Sequence, residues 1–215
     1  MKVLLYRIMS FLKDLLNESG LLPSYKVREK LAARHLKGSG LEIGALHLPL
    51  KVPAGVSVKY VDLSSRDENI SRFPELNADK IVATDYLENG FELFSIPDSS
   101  QDFIIANHVL EHASNPIQVL LNWGRILKGG GILFITVPLA EKCFDRGRPL
   151  TSLEHFDNDY RLCREGNGEA FARCNSVHYR EWLTVSEPNI MSARGLDFQP
   201  PSEGDIDTRI DELLD

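Results

Sequence analysis

The sequence lacks the positive charge and the cysteines that would indicate a nucleic-acid-binding or disulfide-bonded protein. Its formal net charge is −7, whereas broad affinity for DNA or RNA needs a concentrated basic face. It holds three cysteines, Cys143, Cys163 and Cys174, with no Cys-x-x-Cys pair, which argues against a disulfide framework or a common zinc motif. We therefore predict a reduced, soluble, cytoplasmic protein with no bulk nucleic-acid binding and no metal ion.

The amino-terminal segment lacks a long uncharged run. Arg7, Lys13 and Asp14 interrupt its apolar residues, which argues against a signal peptide or a membrane-spanning helix. The apolar side chains instead recur at helical spacing: Leu4, Leu5, Ile8, Met9, Phe11, Leu12, Leu15 and Leu16. This spacing predicts an amphipathic helix that packs on the domain or on the partner in a homodimer. The alternative is peripheral contact with a membrane.

Short apolar segments alternate with helix-length segments in the middle of the chain. Strands are predicted at 41–43, 58–61, 80–84, 103–106 and 132–137, and helices at 25–35, 116–127, 176–186 and 205–214. Apolar strands separated by helices are typical of a parallel sheet covered on both faces. We predict a doubly wound, mostly parallel α/β core over 38–138, preceded by helices in 1–37 and followed by a helical lid, acceptor region and tail in 139–215.

Small or polar residues stand directly after these predicted strands. They are Gly44, Asp62, Asp85 and the pair Asn107-His108. Ligands of an open parallel sheet bind outside the carboxyl ends of its strands, near the reversal of strand order. Asp62 follows Glu42 at the distance that places an acid beside a ribose, so the spacing predicts a nucleoside site.

The loop after the first strand lacks the glycines of a phosphate-binding turn. A dinucleotide needs Gly-x-Gly-x-x-Gly, so that backbone amides can approach its pyrophosphate. Here Gly44 is followed by Ala45, Leu46, His47 and Leu48. S-adenosylmethionine carries no phosphate and can lie over one small-residue turn. The loop therefore favours this methyl donor over NAD.

Two segments resemble class I methyltransferases of the type 11 group. The first is Gly40-Leu41-Glu42-Ile43-Gly44-Ala45 with Tyr60-Val61-Asp62. The second is Asn107-His108-Val109-Leu110-Glu111-His112, followed by Asn115-Pro116 and by Arg125-Ile126-Leu127-Lys128-Gly129-Gly130-Gly131. The loop also looks similar to a bacterial subgroup that is sometimes encoded beside surface-polysaccharide genes. The resemblance implies a Rossmann-like fold and S-adenosylmethionine-dependent transfer to a small polar, glycan-like acceptor.

Carried over by position, the resemblance implies a set of cofactor-binding residues. Glu42, Gly44 and Ala45 would lie near the methionyl part of S-adenosylmethionine, and Asp62 at its ribose. Asp85 and Tyr86 would lie beside the adenine. Asn107 and His108 would lie under the sulfonium end. Class I methyltransferases usually add an antiparallel hairpin, and we expect this C-terminal hairpin to be missing because residues 189–215 show no convincing strand.

The catalytic and acceptor-binding candidates follow the fourth and fifth predicted strands. His112 and His155 are candidates for the base that a hydroxyl acceptor would need. Arg146, Arg148, Asp159 and His178 are candidates for acceptor binding, and either arginine can instead form ordinary ion pairs. A divalent ion held by His108, Glu111 and His112 is the less favoured alternative. A catalytically idle methyltransferase-like binding module is the alternative to an enzyme.

Overall fold

The computed structural model describes residues 23–214. The amphipathic helix predicted at the amino terminus, with its membrane or dimer contact, lies outside the described residues. The described chain forms two compact units: a core unit of residues 23–137 and a C-terminal unit of residues 138–214. No helix within 23–214 has the length and apolarity needed to cross a membrane.

The core unit is built on a sheet of five parallel strands in the order β3-β2-β1-β4-β5. The strands are β1 (Ser39–Ile43), β2 (Ser57–Asp62), β3 (Tyr86–Leu87), β4 (Gln101–Asn107) and β5 (Leu127–Thr136). The strand order reverses between β1 and β4, which is where doubly wound sheets bind ligands. The predicted doubly wound α/β fold is confirmed.

The helices divide between the two units. The core unit contains α1 (Pro23–His35), α2 (Arg66–Arg72) and α3 (Pro116–Ile126). The C-terminal unit contains α4 (Leu153–Arg164), α5 (Gly168–Glu181), α6 (Glu187–Ala193) and α7 (Glu203–Leu214), with a π-helical turn (Trp182–Ser186) between α5 and α6. Single 3₁₀ turns lie at Ala78–Lys80, Leu110–His112 and Ala140–Lys142. Residues 138–214 contain no strand.

Both faces of the sheet are covered, which explains why its strands are so apolar. Leu41 and Ile104 pack with Trp123 of α3 in one buried cluster. Phe103, the neighbour of Ile104 along β4, packs with Leu36 beyond the end of α1 in a second cluster. Successive side chains of a strand point to opposite faces, so β4 contributes to both clusters.

The sequence signals around α3 are confirmed. The Asn115 side chain caps the helix by accepting a hydrogen bond from Gln118 N at 3.1 Å, and Pro116 occupies the first turn. Trp123 is fully buried, and its indole nitrogen donates to Gly90 O at 2.7 Å. This bond joins α3 to the segment that follows β3.

The third strand is not where its sequence pattern predicts. Residues 80–84 form no strand, because their backbone groups are bound elsewhere: Arg66 Nε donates to Ile81 O at 2.9 Å and Val82 N donates to Leu46 O at 2.9 Å. The strand is instead the short segment Tyr86–Leu87. The prediction for this strand is wrong by six residues at its start.

The C-terminal unit also differs from its predicted helices. α4 begins only at Leu153, after Ser152, which caps it by accepting from His155 N at 3.1 Å. α5 begins at Gly168, well before the predicted start at residue 176, because Asn167 caps it by accepting from Ala170 N at 3.2 Å. The predicted helix at 205–214 is confirmed by α7.

Candidate functional site

The register of the sheet brings together residues that end or follow three different strands. The last residue of β1, Ile43, pairs with the penultimate residues of β2 and β4. Gly44, Asp62 and Asn107 are the next residues along each strand. They are therefore neighbours at the carboxyl edge, at the point where the strand order reverses.

Gly44 makes an open turn at the centre of this edge. Its φ of +63° lies in the left-handed region that favours glycine, and its amide donates to Val61 O at 2.9 Å. A Cβ at this position would meet only Val109 Cγ2, at 3.6 Å. Ala45, half-buried, continues the turn by accepting a hydrogen bond from Leu48 N at 3.0 Å. The exposed backbone of the turn leaves room for a ligand.

Glu42 lies beneath this turn and bonds within the protein. Its side chain is 1% exposed, and both carboxylate oxygens accept from Leu50 N at 3.0 Å. Asn107 Nδ2 donates to Glu42 Oε1 at 3.3 Å, while Asn107 Oδ1 accepts from Thr136 Oγ1 at 2.8 Å. Burial raises the pKa of Glu42 to about 7, although the hydrogen bonds from Leu50 and Asn107 lower it. Glu42 thus organises the floor of the edge.

Asp62 is the last residue of β2, and one of its carboxylate oxygens is hydrogen-bonded within the turn that follows the strand. Its Oδ1 accepts from Ser64 N at 3.0 Å, and the side chain is half-buried. α2 then starts with a reciprocal cap, in which Ser65 N donates to Glu68 Oε2 at 2.7 Å. The second oxygen of Asp62 receives no hydrogen bond from residues 23–214. A ligand hydroxyl can therefore donate to it.

Asp85 and Tyr86 stand at the start of β3 and not beyond its end, so their predicted place after the third strand is wrong. Asp85 is exposed, and its Oδ2 accepts from Tyr60 N at 2.8 Å. Tyr86 lies within the strand, where its hydroxyl accepts from Lys59 Nζ at 3.3 Å. Leu87 is the residue that pairs with Asp62 at the edge.

Two apolar residues beside Asp62 were missed by sequence reasoning. Leu63 is 72% exposed and Leu87 is 61% exposed, whereas Leu41 and Leu93 of the core unit are fully buried. Isolated exposed leucines are common, but Leu63 follows Asp62 along the chain and Leu87 pairs with Asp62 across β2 and β3. Their exposure could not be read from the sequence, since it depends on packing and the residues that precede them, Asp62 and Tyr86, are only half-buried.

His108 and His112 do not form a metal site with Glu111. His108 has a φ of +55°, its backbone amide donates to Thr136 O at 2.9 Å, and its Nδ1 lies 3.4 Å from Glu111 Oε1. His112 is exposed in the turn Leu110–His112, which is 3₁₀ and separate from α3. The spacing of one α-helical face, on which the alternative metal hypothesis depended, is therefore absent from this segment.

The C-terminal unit brings together three of the predicted catalytic and acceptor-binding residues. His155 and Asp159 lie one turn apart on α4, with His155 Nε2 at 3.2 Å from Asp159 Oδ2. His178 approaches from α5, and its Nε2 lies 2.9 Å from His155 Nε2. Among residues 23–214, these are the residues whose ligand atoms could converge on a metal ion, all within 4.8 Å of one another.

The cluster is largely shielded from solvent. Asp159 is 2% exposed, and its Oδ1 is buried without a hydrogen-bond partner. Burial, and then the neighbouring His155, lower the pKa of His178, whereas Glu181 raises it. Cys174 Sγ lies 3.9 Å from His155 Nε2, and burial raises the pKa of this thiol. Cys174 was not among the predicted site residues.

Arg148 and Arg146 have different surroundings. Arg148 is bound within the C-terminal unit: its Nη1 lies 2.9 Å from Asp145 Oδ1 and its Nη2 lies 3.3 Å from Glu181 Oε2. Burial opposes ionisation of Asp145, but hydrogen bonds from Ser186 and Arg148 outweigh it and lower the pKa of this carboxyl. Arg146 is exposed, and its carbonyl accepts from Asn189 Nδ2 at 2.9 Å. Arg148 thus forms the ordinary ion pairs that were the predicted alternative to acceptor binding.

Comparison with known families decides the classification. The family model described as "Methyltransferase domain" matches residues 26–176, which is more than half of the chain. The chain belongs to the methyltransferase domain family. The predicted class I methyltransferase fold and the predicted cofactor, S-adenosylmethionine, are thereby confirmed. No curated protein matches the sequence.

Solved structures resemble this methyltransferase domain at low sequence identity. An S-adenosylmethionine-dependent methyltransferase from Aquifex aeolicus is 20% identical over 73% of this chain and 87% of its own, with a TM-score of 0.44. A candidate S-adenosyl-L-methionine-dependent methyltransferase from Methanococcus maripaludis is 17% identical over 79% of this chain and 76% of its own, with a TM-score of 0.43. A candidate sarcosine dimethylglycine methyltransferase from Galdieria sulphuraria is 21% identical over 58% of this chain and 45% of its own, with a TM-score of 0.36. The chain spans less than half the length of this third structure and of two other matches.

The residues at the carboxyl edge fit S-adenosylmethionine better than a dinucleotide. The turn at Gly44 is open, yet it offers one glycine in place of the Gly-x-Gly-x-x-Gly that a pyrophosphate needs. The free oxygen of Asp62 matches the hydroxyls of a ribose, and the exposed Leu63 and Leu87 match an apolar ring. These groups are the ones that an adenosyl sulfonium presents.

Proposed function

We propose that this methyltransferase transfers the methyl group of S-adenosylmethionine to a small polar acceptor of the sugar or glycan-precursor class. The observation that carries the cofactor site is the juxtaposition of the open Gly44 turn with the free oxygen of Asp62. Gly44 follows β1, at the reversal of strand order, and Asp62 ends the adjacent strand β2. The net charge of −7 disfavours a polyanionic acceptor. The similarity of the loop to a subgroup linked to surface polysaccharides favours a glycan-like one.

Within this proposal, each residue of the edge has a distinct task. Asp62 accepts hydrogen bonds from the ribose, and Gly44 with Ala45 lies under the methionyl part. Leu63 and Leu87 replace Asp85 and Tyr86 as the contacts of the adenine, because they flank Asp62 and are exposed. Glu42 acts on the cofactor indirectly, since its carboxylate already accepts hydrogen bonds from Leu50 N and the Asn107 amide.

Asn107 and His108 are proposed to lie under the sulfonium end. The Asn107 amide is fixed by Glu42 and Thr136, so it presents a rigid surface. His108 is strained into a positive φ, and its side chain is 55% exposed. Such strain is held by the surrounding structure, here by the bond from His108 N to Thr136 O. We expect His108 to orient bound groups at this end.

The cofactor supplies an activated methyl group, and the protein supplies alignment, exclusion of water and proton transfer. Alignment of the acceptor atom with the methyl group in a dry site accounts for much of the rate of such displacements. A hydroxyl acceptor must also lose its proton to a base. Of the two candidates, His112 is exposed in the turn that follows the carboxyl edge, whereas His155 Nε2 is already in contact with Asp159 and His178. We propose His112 as the base.

A transfer assay with isotopically labelled S-adenosylmethionine tests the acceptor class. The panel contains nucleotide sugars and short glycans, with small amines, thiols and RNA for comparison, and methylated products are identified by mass spectrometry. We expect label in a sugar hydroxyl. Label only in an amine, a thiol or RNA would overturn the acceptor class while leaving a methyltransferase.

Calorimetric titration separates the enzyme from its alternatives. We expect the full chain to bind S-adenosylmethionine and its demethylated product and not to bind NAD. Binding of the product without turnover on any acceptor would indicate the idle binding module. Binding of NAD alone would overturn the cofactor site.

A further inference from the structure

We infer that the C-terminal unit holds a divalent transition-metal ion of the zinc type, bound by His155, Asp159 and His178. The two imidazoles and one carboxylate come from α4 and α5, which follow one another along the chain. Two imidazole nitrogens and a carboxylate oxygen are a ligand set that zinc and related ions take in proteins. This inference concerns residues 138–214 alone and does not depend on the proposed acceptor.

The donor atoms lie close enough to one another, all within 4.8 Å, to bind a shared ion after small shifts. Two donors that each lie about 2.1 Å from a tetrahedral ion are about 3.4 Å apart. His155 Nε2 lies 2.9 Å from His178 Nε2 and 3.2 Å from Asp159 Oδ2. Small outward shifts of the two rings would open the position between them to an ion.

Hydrogen bonding alone satisfies this cluster poorly. A neutral imidazole carries one N–H, so His155 Nε2 has at most one proton to share between Asp159 and His178. If it donates fully to one of them, it has no second proton for the other. Asp159 Oδ1 is buried and receives no hydrogen bond in any case. A buried carboxylate oxygen without a partner is costly, whereas an ion would bind the carboxylate and both nitrogen lone pairs together.

The residues around the cluster are arranged as an outer shell would be. Glu181 Oε2 lies 3.8 Å from His178 Nδ1, the ring nitrogen that faces away from His155. Glu181 is itself held by Arg148 Nη2 at 3.3 Å. A carboxylate behind a histidine ligand fixes its ring and raises its basicity. Cys174 Sγ, at 3.9 Å from His155 Nε2, is a side chain able to supply a fourth ligand.

Cobalt titration of the full chain tests the inference. The protein is prepared without an affinity tag of histidines, stripped with chelator and titrated with Co²⁺, whose visible bands report coordination by nitrogen and oxygen. We expect one Co²⁺ per chain, displaced by one equivalent of Zn²⁺. Failure of the stripped wild-type chain to take up a stoichiometric ion would overturn the inference.

Matched variants locate the ion. His155→Gln, His178→Gln and the isosteric Asp159→Asn should each weaken Co²⁺ binding by about 100-fold or more, and Glu181→Gln by about 10-fold. His35→Gln, at an exposed histidine that ends α1, is the control and should bind as the wild type does. Far-UV circular dichroism checks that each variant is folded, and Glu181→Gln keeps the test informative if a ligand variant unfolds. The assignment would be contradicted if a folded Asp159→Asn variant bound Co²⁺ with wild-type affinity. It would also be contradicted if His112→Gln, and not the ligand variants, abolished the visible bands of bound Co²⁺.

Discussion

Asn107 Nδ2 donates to Glu42 Oε1 across the reversal of strand order, at 3.3 Å, and so ties the carboxyl end of β4 to that of β1. The same carboxylate accepts a hydrogen bond from Leu50 N, and this bond fixes the end of the loop that begins with the Gly44 turn. One buried acid therefore positions both the turn and the amide side chain on which the proposed cofactor site depends. Its protonation state has consequences for stability.

The stability of the core unit should fall as the pH rises towards neutrality because of Glu42. Below about pH 4.5 this carboxyl is protonated in both states, so it costs nothing. As the pH rises to the folded pKa of about 7, the unfolded chain loses the proton first, and the folded state loses up to about 3 kcal/mol in relative stability. Glu42→Gln should remove this loss. Urea unfolding at pH 5 and pH 8 measures it.

The exposed Glu75→Gln is the control for this experiment, because its carboxyl stands in solvent. The difference between Glu42→Gln and the wild type should favour the variant more at pH 8 than at pH 5, while Glu75→Gln should follow the wild type at both. An equal difference at both pH values would show that Glu42 is already ionised at pH 5 in the folded protein and would contradict the raised pKa.

Two glycine-to-alanine substitutions should change stability in opposite directions. A Cβ at Gly40 would lie 2.2 Å from Phe103 O, in the pairing of β1 with β4, so Gly40→Ala should destabilise by about 1–3 kcal/mol. Gly124 lies inside α3 with nothing within 4 Å of a Cβ, so Gly124→Ala should stabilise by about 0.5–1 kcal/mol. Midpoints of urea unfolding measure both. A neutral Gly40→Ala would mean that β1 and β4 can separate at little cost.

The sequence predicted the fold well where the physical signals were long and local. β4 contains the continuous apolar run 103–106, and α3 carries a cap at Asn115, a first-turn proline and an apolar stripe. The strand β3 was misplaced because two residues are too few to show a period. The apolar residues Ile81 and Val82 resemble a strand more closely, but their backbone groups bond to Arg66 and Leu46.

The site could be predicted only in part for a related reason. Gly44 and Asp62 follow or end strands, so the topology alone places them at one edge. On α4, the spacing of His155 and Asp159 shows that they share a helix face. The arrival of His178 from α5 depends on how two helices pack, which the spacing of residues along the chain does not contain. The exposure of Leu63 and Leu87 likewise depends on packing.

Asp62 should matter more for cofactor binding than Asp85. Asp62→Asn keeps an acceptor for Ser64 N but loses the charged oxygen proposed to bind the ribose, so affinity for S-adenosylmethionine should fall by about 10–100-fold. Asp85→Asn should bind nearly as the wild type, since its carboxylate faces Tyr60 N. Asp79→Asn, at an exposed position, controls for loss of charge. Titration calorimetry gives the three affinities; a larger loss in Asp85→Asn than in Asp62→Asn would restore Asp85 to the cofactor site.

Leu63 should contribute to cofactor affinity without contributing much to stability. Its side chain is 72% exposed, so Leu63→Ala removes little buried apolar surface from the folded chain. If the adenine covers it, the variant loses on the order of 1 kcal/mol of burial in the complex, and affinity for S-adenosylmethionine should fall by about fivefold to tenfold. Leu121→Ala, at a leucine of α3 that is 51% exposed and distant along the chain from Asp62, is the matched control. Calorimetry and urea unfolding are measured on both variants, and equal affinities would remove Leu63 from the adenine site.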